Sequence, residues 1–368
     1  MRNTTRSIFQ FMLLAAIAPM TSPLMAQYIL PSQRTVVVSP VPENPVASGN
    51  ALLAAVAAVS PSGTDRWLLK IEPGIYDIGT QPLQMKRRLD IEGSGQGVTT
   101  ILGTGQESLS FSFKTGVIQG ADNAELRKLR VQCQSTVERP GCITMANYEA
   151  SPRLVDVTLV ANSEIGNHWG IRNSAASPDL DRVTIVAANG FANYGVANGG
   201  PSRPTLRRSS LEVKGGSSYN VGIWNAGDAY PVLVEDTRIQ AFGGRTSAGM
   251  LGPETGLVDF ATIRRSQLIA GNAIQSFGIG AGFIRGLTIE HSKILAKGPN
   301  SQGVVPGSFT EITVSHSEIG GETVSLFADE VQVGLTWFRG AGSIDAFTSA
   351  TCAGVYDETL TFYPSTCP

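Results

Sequence analysis

"SPRLVDVTLVA" at 151–161 and "SPDLDRVTIVA" at 177–187 are nearly the same eleven residues, set 26 positions apart. Self-similarity at such a period marks a repeat architecture. The shared template is an apolar anchor, two variable residues, a small or apolar one, a variable one and a second anchor. It recurs as LRKLRV at 126, LVDVTL at 154, LDRVTI at 180, LRRSSL at 206, VEDTRI at 234, IRRSQL at 263, IEHSKI at 289 and VSHSEI at 314. Successive starts lie 28, 26, 26, 28, 29, 26 and 25 residues apart.

A second motif, x-Gly-apolar, rides on the same period: WGI at 169, YGV at 194, VGI at 221, AGM at 248, FGI at 277 and QGV at 302. Each repeat therefore holds at least two short strands, separated by turns rich in Gly, Asn, Ser and Pro. No helical pattern of ten residues falls between them, which excludes crossover helices. The architecture this predicts is all-β: a single right-handed parallel β-helix of 25–29 residues per coil. Coils stack about 4.8 Å apart, so the eight matches span roughly 34 Å. Stacking sets like beside like. Ser209, Thr237, Ser266, Ser292 and Ser317 share one slot and predict a hydroxyl ladder; Asn173, Asn198 and Asn225 predict an amide ladder.

A β-helix has two open ends, each an edge that needs cover. SGNALLAAVAAVS at 48–60 predicts a capping helix started by Ser48 or Asn50. From about Val331 the template stops, and 331–368 reads as an aromatic-rich tail that plugs the other end. The β-helix with its cap is expected over 48–330, after an N-terminal extension at 27–47.

Residues 1–26 read as a secretory signal peptide: Arg2 and Arg6, an apolar run, and a cleavage point after Ala26. Its removal takes the net charge from −2 to −4. That sign argues against a nucleic-acid surface. No later stretch is apolar enough to span a membrane. The four cysteines form two local pairs, Cys133–Cys142 and Cys352–Cys367, and an even count in an exported chain predicts two disulfides. The chain is expected to be secreted or periplasmic.

LLKIEPGIYDIGTQPLQMKRRLDIEGSGQGVTTILGTG at 68–105 resembles the opening coils of the pectin lyase-like superfamily, nearest its pectin methylesterase branch. The matching positions are the Pro-Gly-x-Tyr turn of Pro73, Gly74 and Tyr76, and the Gly-x-Gly turn of Gly93 and Gly95. The resemblance implies the coil fold. It extends to GLVDF at 256–260, which implies a nucleophile's role for Asp259. The Gln-Asp-Thr segment and the arginine motif that accompany that role in the esterases are missing. Clustered aspartates of the polygalacturonase kind do not occur either.

Asp156 and Asp236 share a repeat slot, yet three turns separate them, with Arg182 and Arg208 between. About 14 Å is too far to share one ion, so the slot reads as a solvated face of alternating charge and no metal site is assigned. Calcium enters only if the protein is a lyase. His291 and His316 occupy the same slot on adjacent turns, about 5 Å apart, as polar ladder residues. His168 precedes Trp169 in a turn with no evident partner. Alternation places Trp169, Tyr194 and Phe277 inward, and turns Trp224 outward beside Tyr219 as a pair on which a sugar ring can stack.

The reading this supports is an exported, non-catalytic rod that binds polysaccharide or a cell-surface glycan, without a cofactor. The alternatives are an esterase- or lyase-like enzyme on acidic polysaccharide and a trimeric fibre or adhesin, so the rod is expected as monomer or trimer.

Overall fold

The computed structural model describes residues 28–30, 34–104, 115–137, 139–226, 232–252, 257–258, 261–280, 283–305, 310–340 and 343–368. The expected signal peptide and Asp259 lie outside them. The chain is a parallel β-helix of about nine turns with one short helix near its N-terminus.

The register follows the repeat. Leu154 pairs with Leu126 and Leu180, Leu180 with Leu206, and the column continues through Val234, Ile263, Ile289 and Val314. Every member is at most 1% exposed. Two further inward columns run beside it. One passes through Leu159, Ile185, Leu211, Ile239 and Leu268, the other through Ile171, Val196, Ile223, Met250 and Ile279. Three apolar spokes per coil fill the core, each buried side chain contributing about 2 kcal/mol against the entropy of ordering it. A one-residue slip would turn a whole column outward, so the register is fixed.

A coil has three strands, and its first corner is a single residue. Lys128, Asp156, Arg182, Arg208, Asp236, Arg265, His291, His316 and Leu335 occupy that corner in turn, all left-handed, with φ between 46° and 54°. None is glycine, although the left-handed region costs an L-residue about 1–2 kcal/mol. The residue that follows is a hydroxyl in six of these coils, and here the expected ladder forms. The Ser292 Oγ accepts from the N–H of Ser266 at 3.1 Å and donates to the carbonyl of Glu290 at 2.7 Å. Val183, Ser209 and Thr237 repeat the first of these bonds toward Ser209, Thr237 and Ser266. The hydroxyls thus bond backbone rather than one another. The amide ladder also forms, buried, with Asn147 as its first rung: Asn147, Asn173 and Asn198 each donate from Nδ2 to the next Oδ1 at 2.8 Å, ending on Asn225.

At the N-terminal end the helix covers Pro45–Ala58. Its cap is Asn44, whose Oδ1 accepts from the N–H of Ala47 at 3.0 Å, and not Ser48 or Asn50. Ser48 lies a turn inside, buried, its Oγ accepting from the N–H of Val41 at 2.8 Å. Gly49 permits the docking, since a Cβ there would overlap the Asp77 carbonyl. Within the expected extension, Thr35–Val38 pairs in parallel with Trp67–Ile71 and joins the coil.

The C-terminal boundary also moves. Parallel stacking runs on through Val324–Gly334, Trp337–Gly340, Ile344–Ala353 and Val355–Tyr356. Phe362–Tyr363 then turns back, antiparallel to Val355–Tyr356. Both disulfides, Cys133–Cys142 and Cys352–Cys367, are formed. Among the described residues no helix is long and apolar enough to cross a membrane.

Candidate functional site

The left-handed corner turns its side chain away from the core, and the residue two further on points out as well. Stacked over the coils, these two outward rows line an open groove of about 980 Å³ that runs from Gln96 to Tyr356. Asp156, Arg182, Arg208, Asp236, His291 and His316 all line it, so the slot recognised in the sequence is one continuous surface. Arg265 belongs to the same row. Trp337 and Tyr356 close one end of the groove.

The corner charges pair along the axis. Arg182 holds Asp156 through two bonds of 2.6 and 3.0 Å and reaches Asp181 at 2.7 Å. Arg208 bonds Asp181 from the next coil at 2.8 Å. Arg265 holds Asp236 through bonds of 2.7 and 3.0 Å and Glu235 at 2.7 Å. The Arg182 guanidinium keeps the Asp156 carboxyl below its usual range, and Arg265 does the same for Asp236. Carboxylates and guanidiniums share the slot, and arginine bonds set its carboxylates as bound anions rather than proton donors.

Farther along, His291 and His316 stack with centroids 4.7 Å apart and planes 2° apart, close to the expected coil spacing. Lys293 pairs with Glu318 at 2.7 Å. Exposed Arg238, between Ser210 and Gln267 in the outer row, has no carboxylate partner among the described residues. Among those residues no three His, Cys, Asp or Glu side chains gather to hold a metal.

A second surface lies on the strands of the x-Gly-apolar motif. Trp169 and Tyr194 do not enter the core as alternation predicts. They pack with Trp224 in a separate cluster on the outer face, Trp169–Tyr194 at 5.8 Å and 13°, Tyr194–Trp224 at 5.2 Å and 37°. The motif's glycine explains the reversal. A Cβ at Gly170 would run into the core residue Ile185, so Gly170 and Ile171 both face inward and Trp169 is thrown out. Phe277 follows Tyr194 in the same column, through Val221 and Ala248. Arg172 lies 5.4 Å above the Trp169 ring. Trp224 stands at the far end of the three-ring stack, and Tyr219 is 38% exposed on the same strand.

His168 is buried, with Nδ1 3.0 Å from the carbonyl of Ala188 and Nε2 3.3 Å from the Ser135 Oγ. Leu257–Val258 forms a short parallel pair with Phe283–Ile284.

No protein-family model matches this chain, and no curated protein sequence matches it. Solved structures do. ORF18 of Geobacillus virus E2 aligns at 9% identity and TM-score 0.38, over 84% of this chain and 58% of that one. The A-module of the mannuronan C-5 epimerase AlgE6 from Azotobacter vinelandii aligns at 13% and 0.37, over 84% and 94%. A pectin methylesterase in complex with a hexasaccharide aligns at 11% and 0.33, over 86% and 94%. These are likenesses at low identity, and the β-helix of this chain rests on its own strand pairing.

Proposed function

We propose that the protein is an exported, non-catalytic rod that binds polysaccharide, and that the corner groove is its binding surface. One observation carries this reading. The groove is open, lies along the rod, and presents guanidinium, imidazole, hydroxyl and amide groups coil after coil, with Trp337 and Tyr356 at one end. Such a surface suits a long polar chain better than a small molecule, which prefers an enclosed apolar pocket. The arginine-bound carboxylates support binding over hydrolysis, because a general acid needs a raised pKa. Two disulfides accord with an oxidising compartment. Trp224 and Tyr219 offer a second contact on a different face, where a sugar ring can stack.

The test is a panel of acidic and neutral polysaccharides, followed by affinity electrophoresis for binding and by mass spectrometry for turnover, with and without calcium. Retardation by at least one polymer, with every polymer recovered intact, supports the reading. Shortened, unsaturated or de-esterified products overturn it in favour of an enzyme, and loss of that turnover in Asp259→Asn would assign the nucleophile. Light scattering separates a monomeric rod from a trimeric fibre.

A further inference from the structure

We infer that the groove takes its ligand as an extended linear glycan lying along the rod axis, one sugar to each coil; this rests on the function proposed above. The groove repeats with the coil, and each coil adds one corner side chain and one strand side chain to its lining. Coils lie about 4.8 Å apart. A linear pyranose chain advances by a comparable distance per sugar, so neighbouring sugars meet neighbouring coils in turn. A branched or coiled chain would lose register within a few turns.

The chemistry of the lining differs along the row, which gives each sugar its own contacts. Asp156, Arg182 and Arg208 serve the first coils, Arg238 and Arg265 the middle, and His291, His316 and Trp337 the last. Trp337 is held in place by its Nε1–H, which donates to the carbonyl of Asp357 at 3.0 Å. Arg339 lies 4.6 Å over its ring.

An extended peptide is the competing occupant, and the backbone argues against it. A peptide strand binds by pairing with unmade main-chain bonds. At these corners the N–H groups of Arg182, Arg208, Asp236, Arg265, His291 and His316 each bond a carbonyl of the next coil. The N–H groups that follow the first five of these corners, from Val183 to Ser292, are taken by the hydroxyl ladder. Side chains alone are on offer, and side-chain contacts to ring hydroxyls are what a glycan uses.

Calorimetry with size-graded oligogalacturonates and cello-oligosaccharides, from two to twelve sugars, tests the inference on the full-length protein. For the series that binds, affinity should climb with each sugar and level off near eight, the number of corners from Asp156 to Leu335. Arg238→Ala and His316→Ala sit three coils apart. Each should weaken the octamer by about threefold to tenfold, the loss of one polar contact, with the melting temperature retained. A plateau at two or three sugars, or an octamer indifferent to one of the two variants, overturns the axial register and leaves polysaccharide binding standing. Tighter binding of an extended peptide overturns the glycan as occupant. Failure of every polymer in the panel overturns the parent function instead.

Discussion

The backbone N–H of Ser266 donates to the Oγ of Ser292 on the next coil at 3.1 Å, and both groups are buried. A single hydroxyl therefore satisfies the chain where two strands meet at a left-handed corner, and it does so across coils. Ser292→Ala leaves the Ser266 N–H without a partner, at an expected cost of about 1–3 kcal/mol. Ser292→Thr keeps the oxygen, as Thr237 does in the same column, and should cost much less. Urea unfolding of the two variants checks this; equal losses would show that the hydroxyl does not hold the corner.

The coil, its register and both ladders were legible in the sequence because a parallel stack forces equivalent residues into one column. Three features were not. The fate of Trp169 depends on Gly170 and Ile171 both facing inward, and strict alternation has no place for two inward residues in a row. The C-terminal coils escaped because the repeat shortens: Val314 pairs with Val333 and Val333 with Cys352, 19 residues each, where the coils from Leu126 to Val314 use 25–29. Shorter turns keep the stacking and break the spacing. The groove escaped as a surface because its shape comes from the left-handed corner, which glycine would have announced and arginine, aspartate and histidine do not.

On the proposed function, those corner residues trade stability against binding. His316 is left-handed at φ 49° and exposed, and its ring stacks on that of His291. His316→Gly relieves the backbone while loosening the unfolded chain. The two effects leave an expected gain of about 0.5 kcal/mol. Glycan affinity should fall at the same time. Thermal unfolding beside calorimetry reads both, and a destabilised variant would mean that the imidazole stack holds the corner.

The clip at the C-terminal end closes a loop with a sequence separation of 15. Loops of that size stabilise by about 3 kcal/mol when bridged. Cys367→Ser should free the tail from Phe362–Tyr363 onward and open the last coil, where Val355 and Cys352 are buried. Limited proteolysis should then cut near residue 354 and spare the coils before 330, since each coil contacts only its neighbours. Cleavage spread through the whole rod would show instead that its coils unfold as one unit.

His168 sets the last expectation. It is fully buried, and burial pushes its imidazole down to about 4 from the ordinary 6.5. Its Nδ1 faces the Ala188 carbonyl at 3.0 Å, and Nε2 faces the Ser135 hydroxyl at 3.3 Å and the Ile165 carbonyl at 3.1 Å. Two carbonyls would welcome a second proton, but desolvation of the cation outweighs them. Because the folded value is depressed, the unfolded chain binds the proton more readily, and stability must fall as pH falls. The contribution is intact above about pH 6.5 and declines toward pH 4, by about 3 kcal/mol. The carboxylates held by arginine, Glu92, Asp156 and Asp236, are depressed as well, and they add their own loss chiefly at the acid end of this range and below it. Asn193 and Asn220 occupy the same buried column. His168→Asn should therefore fold and lose the slope between pH 6.5 and 4. Urea midpoints measured across that range decide the point: an unchanged slope in the variant would assign the pH dependence to another group.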